Sequence, residues 1–396
     1  MYKLLIMNKG KMAFAQVMEL ASYSIFKRCV ERYNGHHRIR TFTCWKQFLC
    51  LAFGQLTHRE SMSDTLLCLG LNPDKLFHLG IGKLADKSTV SRANESRDWR
   101  IYQDFGLKLI EQARGIYKGD NQLKVDLKGD IFVLDATTVD LCLEVFWWAS
   151  FRKTKAAIKI HTLLDAKTSI PEFVFITDGK VHDVNILDEI NIQKGSYYLM
   201  DKAYIDFSRL FYLQIEKAYF VVRAKDNIQF KKLKSRQKDD IHGIISDQDI
   251  YLTGPISKDK YPDKLRRIEF YDSEYERYFV FLTNNFVVKA KTVAQLYKHR
   301  WHVEIFFKWI KQNLKIKSFW GQSENAVRIQ IWVAISVYVL VVITKKKLKI
   351  NNTLYEILQY ISICPFEKTP LFDVFSHGKL QEIKEQNYNQ LKFNYN

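Results

Sequence analysis

Three acidic residues stand where metal-dependent phosphoryl chemistry could use them. Asp135 follows the apolar run IFVL, and Asp201 follows YYLM. Runs of this kind read as β-strands. An acid where such a run stops is fixed by the sheet yet faces an open edge. Two carboxylates on adjacent strands repel unless a cation lies between them. Oxygen ligands that leave room for water and substrate phosphate suit Mg²⁺, and a pair of such ions can activate a nucleophile and stabilise a leaving oxygen. Taken singly, each acid is ordinary, because an Asp at a strand end is commonly a turn or cap residue. The third acid has different company. In YKHRWHVEIFFKWIKQNLKIK, residues 297–317, read as one helix, Tyr297, Arg300, Glu304, Lys308, Lys311 and Lys315 share a sector about 80° wide. Val303, Ile305, Phe306, Trp309, Ile310 and Leu314 fill the opposite arc, the side expected to be buried. Glu304 could simply pair with Arg300 and Lys308 at i, i+4 spacing. That leaves Lys311 and Lys315 without a reason; a phosphate-binding stripe holding one metal ligand accounts for all of them.

The elements around these acids follow from pattern. DIFVLDATTVDLCLE, AAIKIHTLLDA and IPEFVFITDG read as strands, HDVNILDEI as a short helix, SYYLMD as a strand, YIDFSRLFYLQIEK as a helix and AYFVVRAK as a strand. Three strands, helix, strand, helix, strand is an α/β order. Residues 226–286 read as a β-rich insertion: a charged loop, KKLKSRQKDD, and then the strands DIYLTG, LRRIEFYD and ERYFVFLTNN. Before all this, FAQVMELASYSIFKRCVERY, TCWKQFLCLAFGQL, SMSDTLLCLGL and ADKSTVSRANESRDWRIYQDFGLKLIEQARGIY carry helical periodicity, with Ser88 as a candidate cap. Lys87, Arg92, Arg97 and Arg100 could face a DNA groove as in helix-turn-helix units; a solvated basic face is the plain alternative. The expected organisation is a helical N-terminal DNA-binding domain (1–120), the first part of a catalytic domain (121–225), the insertion (226–286), the rest of the catalytic domain with the Glu304 helix (287–345), and a peripheral tail (346–396). The run IQIWVAISVYVLVVI, 329–343, is short of the roughly 20 residues that span a bilayer, so it reads as a buried core helix.

Composition narrows the partners. Among 396 residues, 61 are Lys or Arg and 43 Asp or Glu, a net charge of +18. That excess favours a polyanion, although a Lys-rich, A/T-biased coding sequence also contributes. A hydrophobic share of 47% argues against a disordered chain. The six cysteines form no CxxC pair and no zinc spacing, and read as reduced thiols. The start, MYKLLIMNKGKMAFAQ, is too short and polar for a signal peptide. His161 and His182 read as core or edge residues, since Mg²⁺ prefers oxygen. Asp165 and Asp183 read as turn or cap residues, and Trp147 and Trp148 as packing residues. For the cluster Arg152, Lys153, Lys155 and Lys159, and for Arg223 and Lys225, DNA contact and plain solvation stay equally open.

These residues resemble DDE transposases on a ribonuclease-H-like fold. YKHRWHVEIFFKWIKQ is similar to the Tyr-x2-Arg-x3-Glu-x6-Lys signature of the insertion-sequence-four family, met by Tyr297, Arg300, Glu304 and Lys311. VLDATTVDL, FRKTKAAIKIHTLLD with ITDGKVHDVN, and MDKAYIDF resemble the segments around and between the first two acids, in order, over about 130–345. Residues 1 to about 110 resemble the helical domain that often precedes such catalytic domains. The resemblance implies a ribonuclease-H-like core with the first Asp on the first strand, the second at the end of the fourth, the Glu on a later helix, and a β-rich insertion between. It implies Asp135, Asp201 and Glu304 as catalytic residues and ligands of two Mg²⁺ ions, with Mn²⁺ as a substitute. Tyr297, Arg300 and Lys311, with Lys308 and Lys315 of the same stripe, would contact DNA. The implied activity is recognition of terminal inverted repeats in double-stranded DNA, hydrolysis at each end, and attack of the freed 3′-OH on target DNA. A homodimer on DNA, acting in the cytoplasm with the nucleoid and without a membrane, goes with it. Some members form a hairpin with an aromatic holding a flipped base; with no Trp at 226–300, no residue is assigned to that role. The alternatives are a DNA-binding protein, or a nuclease of the same fold without strand transfer.

Overall fold

The computed structural model describes residues 10–37, 39–121, 123, 127–152, 155–236, 243–274, 276–314, 316 and 319–377. The chain divides into two units, residues 117–312 and residues 1–116 with 313–396.

The first stretch is helical: α1 (Ala13–Met18), α2 (Tyr23–Arg32), α3 (Cys44–Leu56), α4 (Met62–Gly70), α5 (Lys87–Ser96) and α6 (Arg100–Tyr117). Thr43 caps α3 by accepting the Lys46 N–H at 3.2 Å, and Ser61 caps α4 through the Asp64 N–H at 3.0 Å. Ser88 caps nothing: α5 starts one residue before it, with Asp86 at the N-cap making no side-chain bond. Of the four bases expected on a DNA-facing surface, Arg97 is committed internally. Its guanidinium donates to Thr43 O (3.0 Å), Gln47 Oε1 (2.7 Å) and Phe42 O. Arg100 pairs with Asp98, while Lys87 and Arg92 are exposed.

Residues 117–312 hold a ten-stranded mixed sheet. Its strands are β1 (Ile131–Leu141), β2 (Ser150–Arg152), β3 (Lys155–Asp165), β4 (Ile170–Asp178), β5 (Tyr197–Met200), β6 (Tyr219–Arg223), β7 (Phe230–Ser235), β8 (Ile244–Leu252), β9 (Leu265–Asp272) and β10 (Arg277–Thr283). The order is β2-β3-β1-β5-β6-β10-β9-β8-β7, with β4 on β3. β1, β5 and β6 run parallel, and the other pairs are antiparallel. Gly129 and Gly195 lead into β1 and β5. Gly129 has φ +97°, and a Cβ there would lie 2.3 Å from the Gly195 carbonyl, so only glycine lets the two strands start side by side. One face of the sheet buries Phe132, Leu134, Leu163, Tyr198, Met200 and Phe220 against α7 (Phe207–Ile215) and the short helix Asp183–Asp188. The region read as an insertion adds β7–β10 to this same sheet, with α8 (Ser257–Lys260) among them. Lys231, Lys232 and Lys234, read as part of a loop, lie on edge strand β7, where exposed lysines discourage further strand pairing. Residues 237–240 of that charged stretch lie outside the described residues, as do 241–242 and the start, 1–9. Two helices complete the unit, α9 (Ala290–Lys298) and α10 (Trp301–Asn313).

The helical unit resumes with α11 (Glu324–Lys347), α12 (Leu354–Ile363) and α13 (Leu371–His377). α11 is longer than its apolar run because Ser323 caps it, accepting the Ala326 N–H at 3.2 Å, and three lysines end it. Its length and hydropathy would allow a membrane crossing, yet 94% of its most apolar stretch is buried among the other helices. The segment after 346 is not peripheral as far as it is described. The N–H groups of Ala13 and Phe14 donate to Glu367 O (2.7 Å) and Pro365 O (3.1 Å), and Leu371 N–H to Gln16 Oε1 (2.9 Å).

Candidate active site

Burial along β1 runs unbroken from Ile131 to Leu134 and opens at Asp135. β1 pairs with β5 in the register Val133↔Leu199, and β5 with β6 in the register Met200↔Val222. Carried on past the strand ends, those registers set Asp135 beside Asp201 and Asp201 beside Arg223. In-register residues of parallel neighbours point to one face. Asp201 Oδ1 accepts the Ala203 N–H at 2.8 Å, so it also caps the turn after β5. Asp135 Oδ1 accepts the Ala136 N–H at 2.8 Å.

The single helix expected over 297–317 is two. α9 ends at Lys298, and α10 starts at Trp301. Tyr297 therefore belongs to α9, its ring 4.7 Å from that of Phe281 on β10. Arg300 stands in the break and reaches the sheet: Nη1 donates to Asp135 Oδ2 at 2.9 Å and Nη2 to the Glu304 carboxylate. One guanidinium thus joins the first and third acids. Lys311 Nζ donates to Thr138 O of β1 at 2.9 Å, which tethers α10 to the same strand. Lys308 is exposed, and Lys315 lies outside the described residues. Val303, Phe306, Ile310 and Leu314 are buried, but Ile305, expected with them, is 51% exposed.

Burial raises the Asp135 pKa to about 6. The Ala136 N–H and Arg300 oppose the shift, while Asp201 and Glu304 add to it, so the three carboxylates lie within electrostatic reach. Burial also works against the charge of Arg300, but Tyr297, Asp135 and Glu304 together outweigh it and raise its pKa. Among the described residues, no three His, Cys, Asp or Glu side chains are already set to hold a metal ion. The donors nonetheless fit one. They are hard carboxylate oxygens, one of them desolvated, and a cation, the guanidinium, already lies between two of them.

A family model described as the transposase DDE domain matches residues 126–340. The chain belongs to the DDE transposase family. It is an insertion-sequence transposase, a DNA-acting enzyme of a family that depends on divalent metal. A second model, a domain of unknown function, matches residues 9–82. A Sinorhizobium fredii protein named as transposase y4zB is 30% identical over 63% of this chain and 70% of its own length. A Geobacillus stearothermophilus protein, named as transposase of insertion sequence element IS5377, is 32% identical over 52% and 55%. A Synechocystis protein, named for element IS4SA, is 26% identical over 72% and 80%. The α/β sheet with its preceding helices is the ribonuclease-H-like architecture expected for the family.

Other residues of the transposase fall into place around this site. His161 is fully buried; its Nε2 lies 2.8 Å from Thr177 Oγ1, and burial lowers its pKa to about 4, so it is a neutral core residue. Asp165 is a turn residue, accepting from the Lys167 N–H (2.9 Å) and Thr168 Oγ1 (2.8 Å). Asp183, at the start of its short helix, pairs with Lys159 at 3.0 Å, and Lys159 also donates to Val181 O at 2.7 Å, which takes it out of the basic cluster. Lys153 lies outside the described residues, as do the side chains of Arg152 and Lys155. His182 and Lys225 are exposed. Trp147 is 76% exposed, contrary to the packing role expected of it. Arg223 stacks over Phe279 at 5.3 Å and, with Arg277, Tyr297, Arg300 and Trp301, lines a groove of about 420 Å³ beside the acids. Thr162 was not foreseen. It is the cross-strand partner of Asp135, and its buried hydroxyl has no partner among the described residues. Only the β1–β3 register reveals it.

Proposed function

We propose that Asp135, Asp201 and Glu304 hold two Mg²⁺ ions, replaceable by Mn²⁺, and that this transposase cuts double-stranded DNA at its element's inverted repeats and joins the freed 3′-OH to target DNA. The bridge from Arg300 to both Asp135 and Glu304, acids far apart in sequence, is the observation that carries this reading. When bound, the ions would supply a water nucleophile and charge stabilisation at the leaving oxygen. The chain's own residues do the rest. Asp135, within β1, and Asp201, just past the end of β5, keep their carboxylates on one face. Lys311 holds α10, and with it Glu304, against β1. Tyr297, Arg300, Lys308, Lys311 and Lys315 bind backbone phosphates, which positions the strand without reading its sequence. The signature around Glu304 supports membership of the insertion-sequence-four group. In the proposed division of labour, the helical residues 1–120 recognise DNA ends, 121–225 and 287–345 form the catalytic domain, 226–286 is its β-rich insertion and 346–396 a C-terminal extension. The protein acts as a homodimer that joins two ends, in the cytoplasm with the nucleoid, without a membrane.

The test is a set of single alanine substitutions at Asp135, Asp201 and Glu304, assayed on duplexes bearing the element's end. Cleavage should stop while DNA binding persists, and wild-type protein should yield strand-transfer products. Cleavage that survives any one substitution removes that acid from the site. Cleavage without joined products indicates a nuclease of the same fold.

A further inference from the structure

Arg300 occupies the place between Asp135 and Glu304 that the reading above gives to a metal ion. It makes one hydrogen bond to each carboxylate, and its side chain is 20% exposed. Its donors are therefore only partly used, and solvent can reach the pair. It sits where the backbone passes from α9 to α10, outside either helix, and its guanidinium lies 5.9 Å from the centroid of the Tyr297 ring. It also borders the groove lined by Arg223 and Arg277, where Lys298 is paired with Asp272 and Glu274. Phosphates entering that groove would meet several cations, one of them Arg300. A guanidinium and a dication cannot share two carboxylates without strong repulsion, and arginine binds phosphate as well as carboxylate through its planar fork.

We propose that Arg300 is the resident counter-ion of the metal site, so that the DNA-free enzyme takes up metal poorly until a backbone phosphate draws the guanidinium off Asp135 and Glu304. The proposal rests on the reading of those acids as metal ligands. Metal and DNA then bind cooperatively through one side chain, since whatever removes Arg300 favours the other ligand equally. The benefit is a metal site that stays quiet away from DNA.

The experiment is Mn²⁺ binding to full-length protein without DNA, by titration calorimetry or by the loss of the free-ion resonance. It compares wild type, Arg300→Gln, Arg300→Lys, Asp135→Asn and the Arg300→Gln/Asp135→Asn double variant. Arg300→Gln should bind Mn²⁺ about tenfold tighter than wild type, within the usual range of such couplings. Arg300→Lys keeps the charge but replaces the planar fork with a single ammonium, and should fall between them. Asp135→Asn should erase the gain. If Arg300→Gln binds no tighter than wild type while Asp135→Asn weakens binding, the counter-ion role is wrong and the metal site stands. If Asp135→Asn changes nothing in either background, the metal site itself is wrong.

Discussion

Two arginine–carboxylate clusters in the sheet unit use the same chemistry to different ends. Arg266 meets Asp247 with two parallel bonds, Nε to Oδ1 at 2.8 Å and Nη2 to Oδ2 at 2.6 Å, and its Nη1 donates to Asn285 O and Val288 O. Both side chains are under 5% exposed. Every strong demand of the guanidinium is met inside the protein, as a buried ion pair requires. Arg300 is divided instead between Asp135 and Glu304, one contact each, with all three side chains partly open to solvent. The first cluster is closed and structural, ties β8 to β9 and secures the loop after β10. The second is open, and its groups can change partners. Completeness of hydrogen bonding, rather than charge, separates a structural ion pair from a site.

The comparison can be broken by substitution. Asp135→Ala, Asp201→Ala or Glu304→Ala should lower cleavage by more than about 100-fold, beyond the range seen for groups that only support metal ligands, with little change in melting temperature. Arg266→Ala should do the reverse. It leaves Asp247 buried and unpaired, a loss of about 3–5 kcal/mol, to be read by urea denaturation, with Mn²⁺ binding unchanged in the molecules that remain folded. If Arg266→Ala is as stable as wild type, the closed cluster is not structural.

A pH series sharpens the same contrast. His161 is held neutral, with a folded pKa of about 4 against an ordinary 6.5. Its contribution is fully present above pH 6.5 and is lost as pH falls toward 4, by up to about 3 kcal/mol. Asp135, raised to about 6, acts in the opposite sense, its buried charge costing stability as pH rises from 3.8 through 6. Urea denaturation of His161→Gln beside wild type isolates the first effect and should flatten the acid limb. The smallest change is expected of Lys308→Ala. DNA affinity should fall a few-fold, and the slope of log affinity against log salt should drop by about one. An unchanged slope would remove Lys308 from the phosphate contacts.

Much of this was legible in the chain. The strands around Asp135 and Asp201 announce themselves by apolar runs that stop at an acid, and the signature residues gather around Glu304. What stayed hidden depends on contacts between distant segments. The break at 299–300 has no Pro or Gly to mark it; there Arg300 reaches across to Asp135 on β1. Thr162 gains meaning only from pairing register, which period-two alternation cannot supply. The lysines of β7 look like a loop because an edge strand can carry charge on both faces. The segment after 346 reads as a peripheral tail because its short helices bury only a few residues each, Ile357, Leu358, Ile361 and Leu371 among them, and the backbone groups of Ala13 and Phe14 that receive it are far away in sequence.

The most direct measurement is anomalous diffraction from crystals of the transposase bound to an end duplex and Mn²⁺. The account predicts a manganese peak enclosed by Asp135, Asp201 and Glu304, with Arg300 turned onto a DNA phosphate. Manganese found elsewhere, with Arg300 still joining Asp135 to Glu304 in a complex competent for cleavage, would contradict it.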